Sequence, residues 1–493
     1  MKSKVETTRI PRYVFPREHF SYVNFEMHTF GGFYLERLVE SAISSIKQYF
    51  NGLISLLPDL VTRVMWNLQQ HREEMDRPYD MIVYGATGYV GSLVVQYLWT
   101  HSPPALRWAV AGRNEQKLTT LVDSLDRSQS QRKLPHIMVV TNSDEDLRYM
   151  ASQTRLVLNT VGPFCKLGTP VVAACIEHST AYVDSTGEPV WTQQLAAQWH
   201  DKAMANKAII IPHCAVEATP PDLMTLLLSR RLRRPLGPML FAIHHSWTGH
   251  SGGAIESILV GLETYSLRQM LAATAPLAFC ITDAGPHRPH PTAPKLLPVQ
   301  RNRFLGDLTF NPSAVADQLV VMRTWSLLQR YGDRTEQYGD RFSYHGYTAA
   351  NGWLHAWSSF IVMSIALVCI VLFPPLRWLL RWLAPRPGTG SQLKPGEKHF
   401  VEWKATVAAA DGSEESRVLG VMRTETDVYS VCAILVSEAG LTLLQVLEEK
   451  EEGDSLVKKL GGGILTPASL GIRYVQRLEK AGLQWKVTDI KEK

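Results

Sequence analysis

The chain lacks paired cysteines. Its six, Cys165, Cys175, Cys214, Cys280, Cys369 and Cys432, are widely scattered with no CxxC among them, which argues against a zinc site and a disulfide framework and points to a reducing compartment. It also lacks an excess of one charge. A formal net charge of +5 over 493 residues is too small and too dispersed to argue for nucleic acid, although it suits an anionic membrane surface. The opening "MKSKVETTRIPRYVFPREHF" has no apolar h-region, which speaks against a secretory signal, and Glu6 and Glu18 speak against a transit peptide. With 45% hydrophobic and 20% charged residues, composition is that of an ordinary globular chain, long enough for two or three domains.

What is present begins with "YDMIVYGATGYVGSLVVQYLW" at residues 79–99. A β-rich run, Met81 to Tyr84, feeds Gly85, Thr87, Gly88, Tyr89, Val90 and Gly91, and an apolar-periodic helix follows through Leu93, Val94, Tyr97 and Leu98. Glycines in a strand-to-helix turn let the backbone bend tightly and approach a pyrophosphate that the helix N-terminus then faces. The spacing is GxxGxxG, and by itself it marks no more than a tight turn. Its neighbours add weight. "LRWAVAGRNEQKL" at 106–118 reads as a second strand ending at Gly112, followed by Arg113 and Asn114. A nicotinamide-binding fold places its ribose selector there, and an arginine pairs with a 2′-phosphate where an acid would bind ribose hydroxyls, which favours NADP(H) over NAD(H). The bland account of Arg113 is a solvated side chain. A third strand, "HIMVVT", ends at residue 141, and a fourth, "TRLVLNTVGPF", leads into Asn159, Gly162 and Pro163, at the carboxyl edge where the nicotinamide end belongs. Alternating strands and helices predict an α/β fold with a parallel, doubly wound, Rossmann-type sheet.

At these residues the chain resembles a family. "GATGYVG", "AGRNEQKL" and "NTVGPFCKLGTPVVAACIEHSTAYVDSTGE", then "GGAIES" at 252–257, "RFSYHGY" at 341–347 and "GGGILTPASLG" at 461–471, are similar to the saccharopine dehydrogenase-like oxidoreductases, a group related to trans-acting enoyl reductases. Two stretches depart from the family pattern: "CGFDSIPSD" is here "CAVEATPPD" at 214–222, and "GDPGY" is here "TETDVY" at 424–429. The resemblance implies a Rossmann domain followed by an α+β substrate domain. The expected layout is an N-terminal helical extension at 1–78, the dinucleotide-binding domain at 79–210 and the first part of the substrate domain at 211–350. A hydrophobic insert and linker occupy 351–396, and 397–493 completes the substrate domain before a helix returns to the first.

The insert, "WLHAWSSFIVMSIALVCIVLFPPLRWLLRWLA" at 353–384, is as apolar as a membrane span. Antiparallel strands expected on either side of it must share one side of any membrane, which excludes a single crossing. Phe360 to Phe373 gives only about 21 Å of helix against a hydrocarbon core of roughly 30 Å, including Trp353 brings it just to spanning length, and Pro374-Pro375 stops it. Beyond the prolines Trp378 and Trp382 lie four apart, as do Arg377 and Arg381, the pattern of an interfacial helix with snorkelling arginines. The expectation is a membrane-associated helical hairpin, on the endoplasmic reticulum or a lipid droplet, with the catalytic domains facing the cytosol; a buried or dimer-interface helix is the alternative, so a homodimer stays open. Residues 33–75 are helix-periodic with an interruption at Pro58 and are expected to pack on the protein, with lying on the membrane as the alternative.

Reduction needs hydride and a nearby proton source. "YVDSTGE" offers Tyr182 and Asp184 as catalytic candidates, with Thr186 and Glu188 beside them, although a strand tyrosine more commonly satisfies a structural hydrogen bond. His244, His245 and His250 match no metal-ligand spacing, so no metal is expected. The partners expected are a membrane or lipid-droplet surface and a lipid-linked small molecule, not nucleic acid. The leading expectation is an NADP(H)-dependent oxidoreductase reducing a lipid-linked enoyl, carbonyl or imine group in lipid or glycolipid metabolism. Its rivals are a non-catalytic membrane scaffold that retains the fold and a saccharopine-type amino-acid dehydrogenase.

Overall fold

The computed structural model describes Ser44 and residues 77–490, less 127–131, 247–248, 289–296, 387, 391–396, 412–415 and 450–454. The chain divides into two units, Met1–Met75 and Asp76–Lys493. The helix-periodic stretch at 33–75 lies outside the described residues except for Ser44, which is helical.

The second unit opens with β1 (Tyr79–Tyr84), α1 (Tyr89–His101), β2 (Trp108–Gly112), α2 (Glu115–Asp123), β3 (His136–Val139), α3 (Asp144–Ser152) and β4 (Thr154–Asn159). It continues through α4 (Phe164–Glu177), β5 (Ala181–Asp184), α5 (Pro189–Ala205), β6 (Ile209–Ile211) and α6 (Thr219–Leu232). The first sheet has the order β3-β2-β1-β4-β5-β6-β13, every pairing parallel, its last strand being β13 (Gly463–Ile464) from near the end of the chain. Strand order reverses between β1 and β4, and at such a switch point the loops diverge and leave a crevice beyond the carboxyl ends. A parallel sheet is covered on both faces, and β1 shows this: Met81 and Val83 enter one core while Ile82 and Tyr84 enter another. That is why its sequence is continuously apolar rather than alternating.

The middle of the chain supplies β7 (Leu236–His245), α7 (Gly252–Thr264), α8 (Leu267–Ala273), β8 (Val299–Asn302), β9 (Gly306–Phe310), α9 (Ala314–Tyr331) and β10 (Ser343–Ala350). Two successive apolar helices follow, α10 (Trp353–Leu372) and α11 (Pro374–Leu383), then β11 (Val401–Ala409), β12 (Arg417–Thr424), α12 (Val428–Glu448), α13 (Leu456–Leu460), α14 (Ile472–Lys480) and β14 (Gln484–Ile490). The second sheet runs β14-β12-β11-β7-β10-β9-β8, antiparallel except where β7 meets β10. Side chains from both sheets, with α6 and α12, share one core that includes Met81, Leu223, Trp403 and Leu435.

This sheet fixes the ends of the insert. β10 precedes α10 and β11 follows α11, yet both strands flank β7, with Trp403 opposite Ile243 and Tyr347 opposite Ala242. The chain therefore leaves and rejoins the same sheet. The foot of α10 rests on β8 and β9: Thr309 Oγ1 donates to the Ala356 carbonyl at 2.8 Å, and Arg301 lies 5.4 Å from the Trp353 ring centre. Beyond that foot the helix stands clear, with Val362 67% exposed. α10 spans 20 residues because Trp353 to Ser359 join the apolar run, which gives about 30 Å of helix, the spanning length expected once Trp353 is included.

The two arginines of α11 do not snorkel. Arg377 donates to the Ile370 and Val371 carbonyls at the end of α10 (2.8 and 2.6 Å) and to Leu262 O of α7 (3.3 Å). Arg381 pairs with Glu256 and Glu263 of α7 at 2.9 and 3.0 Å. Helix ends leave carbonyls without intrahelical donors, and a guanidinium can cap several at once. The arginines thus turn α11's polar stripe toward the protein, while Trp378 and Trp382 are 69% and 71% exposed.

Candidate functional site: the dinucleotide crevice

β1 ends in a turn that only glycine fits. Gly85 has φ +86°, and a Cβ there would lie 2.7 Å from Val161 Cγ2. Gly91, in the first turn of α1, comes so close that its Cβ would lie 2.2 Å from Gly85 O. Gly88 N–H donates to Gly85 O at 2.9 Å and closes the turn, and no side chain caps the helix. α1 begins at Tyr89, and a helix N-terminus turns its first backbone N–H groups outward, so this cradle suits a pyrophosphate.

Thr87 faces the end of β2, where its Oγ1 would lie 3.9 Å from a Cβ on Gly112. Arg113 follows and is exposed, while Asn114 Oδ1 accepts from Lys117 N–H at 2.9 Å and caps α2. Asn114 thus shapes the selector loop through its cap. The residues present fit NADP(H): 85–91 would hold the pyrophosphate, Arg113 the 2′-phosphate, and the loop after β4 the nicotinamide end.

That loop is held from below. Asn159, at the end of β4, uses Oδ1 to accept from Val161 N–H at 2.9 Å and Nδ2 to donate to the Tyr182 hydroxyl at 3.0 Å. Tyr182 donates in turn to Asp184 Oδ2 at 2.8 Å, and Asp184 Oδ1 accepts from the Thr186 and His213 N–H groups, each at 3.0 Å. One chain of hydrogen bonds therefore ties together the loops after β4, β5 and β6. Asn159, Tyr182 and Asp184 are fully buried. Burial drives the Tyr182 hydroxyl well above its ordinary range and pushes Asp184 up to about 7. Their polar atoms point at each other, so the geometry makes Tyr182 and Asp184 positioning residues beneath the crevice rather than groups in reach of a substrate.

Gly162 and Pro163 lead into α4, whose first N–H groups are already engaged: Glu188 accepts from Phe164 and Cys165 N–H, each at 2.8 Å. Burial, with Glu188 nearby, pushes the Cys165 thiol up to about 11, so it stays a thiol. Among the described residues no group of three His, Cys, Asp or Glu side chains could hold a metal. His244 packs edge-on against Phe400, and burial lowers the pKa of His245 and His250.

The two departed motifs both reach the crevice, which their sequence alone did not reveal. In "TETDVY", Asp427 caps α12 by accepting from Tyr429 and Ser430 N–H at 2.9 and 3.1 Å. The Tyr429 ring meets Tyr89 of the glycine turn edge-on at 5.0 Å, and its hydroxyl accepts from Ser251 N–H. In "CAVEATPPD", Glu217 packs on Gly187 after β5, and Asp222 accepts from Thr324 Oγ1 and Ala468 N–H at 2.6 and 2.8 Å. The usable signal was the acid kept at 217 within an altered motif. The segment after α11 also arrives here: Gly252 N–H donates to Thr389 O at 3.0 Å, and a Cβ on Gly390 would strike the Tyr89 ring at 2.2 Å.

Comparison with known proteins agrees with this geometry. Residues 81–211 match the family model described as the saccharopine dehydrogenase NADP binding domain. A protein of Rattus norvegicus named saccharopine dehydrogenase-like oxidoreductase is 26% identical over 454 residues, covering 84% of this chain and 99% of its own length. A trans-acting enoyl reductase of Mycobacterium bovis is 26% identical over 432 residues, covering 83% of this chain and 97% of its own. Among solved structures, apo saccharopine dehydrogenase (L-Glu forming) from Saccharomyces cerevisiae matches at a TM-score of 0.44 and 12% identity, over 83% of this chain and all of that one (100%). The matched segment coincides with the sheet that builds the crevice, and over more than four fifths of its length the chain is similar to proteins named saccharopine dehydrogenase-like oxidoreductase and trans-acting enoyl reductase (84% and 83%).

Proposed function

We propose that the chain is a membrane- or lipid-droplet-associated reductase that uses NADP(H) to reduce a lipid-linked enoyl, carbonyl or imine group, on the cytosolic face of the endoplasmic reticulum or on a lipid droplet. The observation that carries the reading is the pairing of a glycine cradle with α10, a helix long and apolar enough to cross a membrane but only 6% buried over its most apolar stretch. A water-soluble substrate needs no such helix. Because both ends of the insert join one sheet, α10 and α11 dip into the lipid from one side, and Trp378 and Trp382 face the interface. The name carried by the mycobacterial relative, trans-acting enoyl reductase, suits a substrate carried by something else.

The test is flotation with phospholipid vesicles, followed by NADPH oxidation with an extracted lipid fraction. Binding to vesicles together with lipid-dependent oxidation supports the reading. Failure to bind NADPH, with Gly88→Asp and Arg113→Ala as controls in a nicotinamide fluorescence titration, sinks it and leaves the non-catalytic scaffold. Oxidation driven by an amino acid with 2-oxoglutarate or an aldehyde partner would instead establish the saccharopine-type dehydrogenase.

A further inference from the structure

Glu217 takes no part in the buried network described above. It lies on the loop between β6 and α6, past the carboxyl end of β6, and a Cβ on Gly187 would sit 3.4 Å from its Cγ. It is therefore at the edge of the first sheet where a doubly wound fold brings substrate to the nicotinamide. Unlike Tyr182 and Asp184, it is not sealed off from solvent. Burial nonetheless raises its affinity for a proton, opposed only by a hydrogen bond from its own backbone N–H. The groups that feel its charge come from two helices: Asp317 on α9, and Tyr429 and Cys432 on α12.

Asp317 is only 3% exposed. Its Oδ2 accepts from the Tyr344 hydroxyl of β10 at 3.2 Å, and its Oδ1 is buried without a hydrogen-bond partner. An ionised carboxylate in that setting is costly, and a neutral acid is not. Glu217 nearby raises the Asp317 proton affinity further, so Asp317 stays neutral and Glu217 is the member of the pair that exchanges.

The geometry points to Glu217 as the proton donor of the reduction. The inference rests on the reductase reading. A polarised double bond C=X takes a hydride, with its electron pair, at carbon from the reduced nicotinamide. The Glu217 O–H bond breaks as H–X forms, and the carboxylate left behind regains its proton from water. A neutral acceptor with a polarised double bond fits such a donor.

The test is infrared difference spectroscopy of the whole protein in detergent, before and after adding NADPH, alongside the fluorescence titration. In wild type, cofactor binding should perturb a protonated-carboxyl band. Glu217→Gln should lose that band, Glu217→Asp should restore it at a shifted frequency, and Asp317→Asn should keep it. A band unchanged in Glu217→Gln, or one lost only in Asp317→Asn, overturns the assignment, as does bound NADPH with no carboxyl band in wild type. No NADPH binding in wild type overturns the reductase reading itself. If Glu217→Gln does not fold, Glu217→Asp alone decides: an unshifted band overturns the proposal, and a shifted band supports it.

Discussion

Helices α10 and α12 have 20 and 21 residues, and each is long and apolar enough to cross a membrane, yet 78% of the most apolar stretch of α12 is buried and 6% of that of α10. The difference lies in what interrupts the apolar run. α12 carries small residues where it approaches other elements: a Cβ on Gly440 would already lie 3.0 Å from Met81 and 3.1 Å from Leu156. It also carries Glu438, which accepts from the Tyr97 hydroxyl at 2.7 Å and from Arg477 at 2.6 Å, tying α12 to α1 and α14. α10 has no charged residue between Trp353 and Leu372 and contacts the sheet mainly through its first turns. Apolar length does not distinguish a membrane helix from a core helix. Small and paired polar residues, which give a helix something to dock on, do.

The contrast can be broken most sharply with a matched pair. Leu435→Asp places an unpaired carboxylate in the shared core and should cost more than about 4 kcal/mol, leaving no cooperative denaturant unfolding. Val362→Asp should change stability by less than about 0.5 kcal/mol while abolishing vesicle flotation. Equal losses of stability in the two variants would mean that α10 is a core helix after all.

A smaller effect tests close approach. Gly440→Val overpacks the contact with β1 and β4 and should lower stability by about 1–3 kcal/mol in urea titration. The buried side should also be the pH-sensitive one. Asp222 beneath the crevice is pushed up to about 7 by burial, from 3.8. Between about 4 and 7 the folded form holds this proton and the unfolded form does not, so its stabilising contribution is full below about 4 and lost as pH rises through about 7. The stability of wild type minus that of Asp222→Asn should therefore fall across that range, and a flat difference would show that Asp222 is ionised throughout. The smallest effect belongs to the tether. Arg381→Ala breaks a partly exposed pair with Glu256 and Glu263 and should cost about 0.2–1 kcal/mol, read in the melting temperature at low salt and vanishing at high salt.

Much of this was legible in the residues. Gly85, Gly88 and Gly91 announced the turn because the positive φ of Gly85 and the close approach of Gly88 and Gly91 to its carbonyl are demands within one short stretch, and β1, β2 and β4 announced themselves because burial on both faces leaves continuous apolar runs. The roles of Tyr182 and Asp184 were not legible, since "YVDS" reads the same whether its polar groups meet a substrate or each other; only the register of β4 beside β5, with Asn159 opposite Asp184, decides. Arg377 and Arg381 misled for a similar reason. Their spacing fixes a common face, but whether that face meets lipid headgroups or Glu256 and Glu263 depends on where α7 lies, some 120 residues earlier.

The segment that leaves α11 gives the two ends of this molecule a common ledge. Thr389 is bonded to the start of α7 and Gly390 lies against Tyr89, the first residue of the helix that would face the pyrophosphate. Anything that shifts α11 must then reach Tyr89, and anything that tightens the turn around Tyr89 must resist that shift. Such a coupling is reciprocal: if lipid changes the affinity for NADPH by some factor, NADPH changes the affinity for lipid by the same factor. Titrating the cofactor with and without vesicles, and vesicles with and without the cofactor, would measure that factor twice.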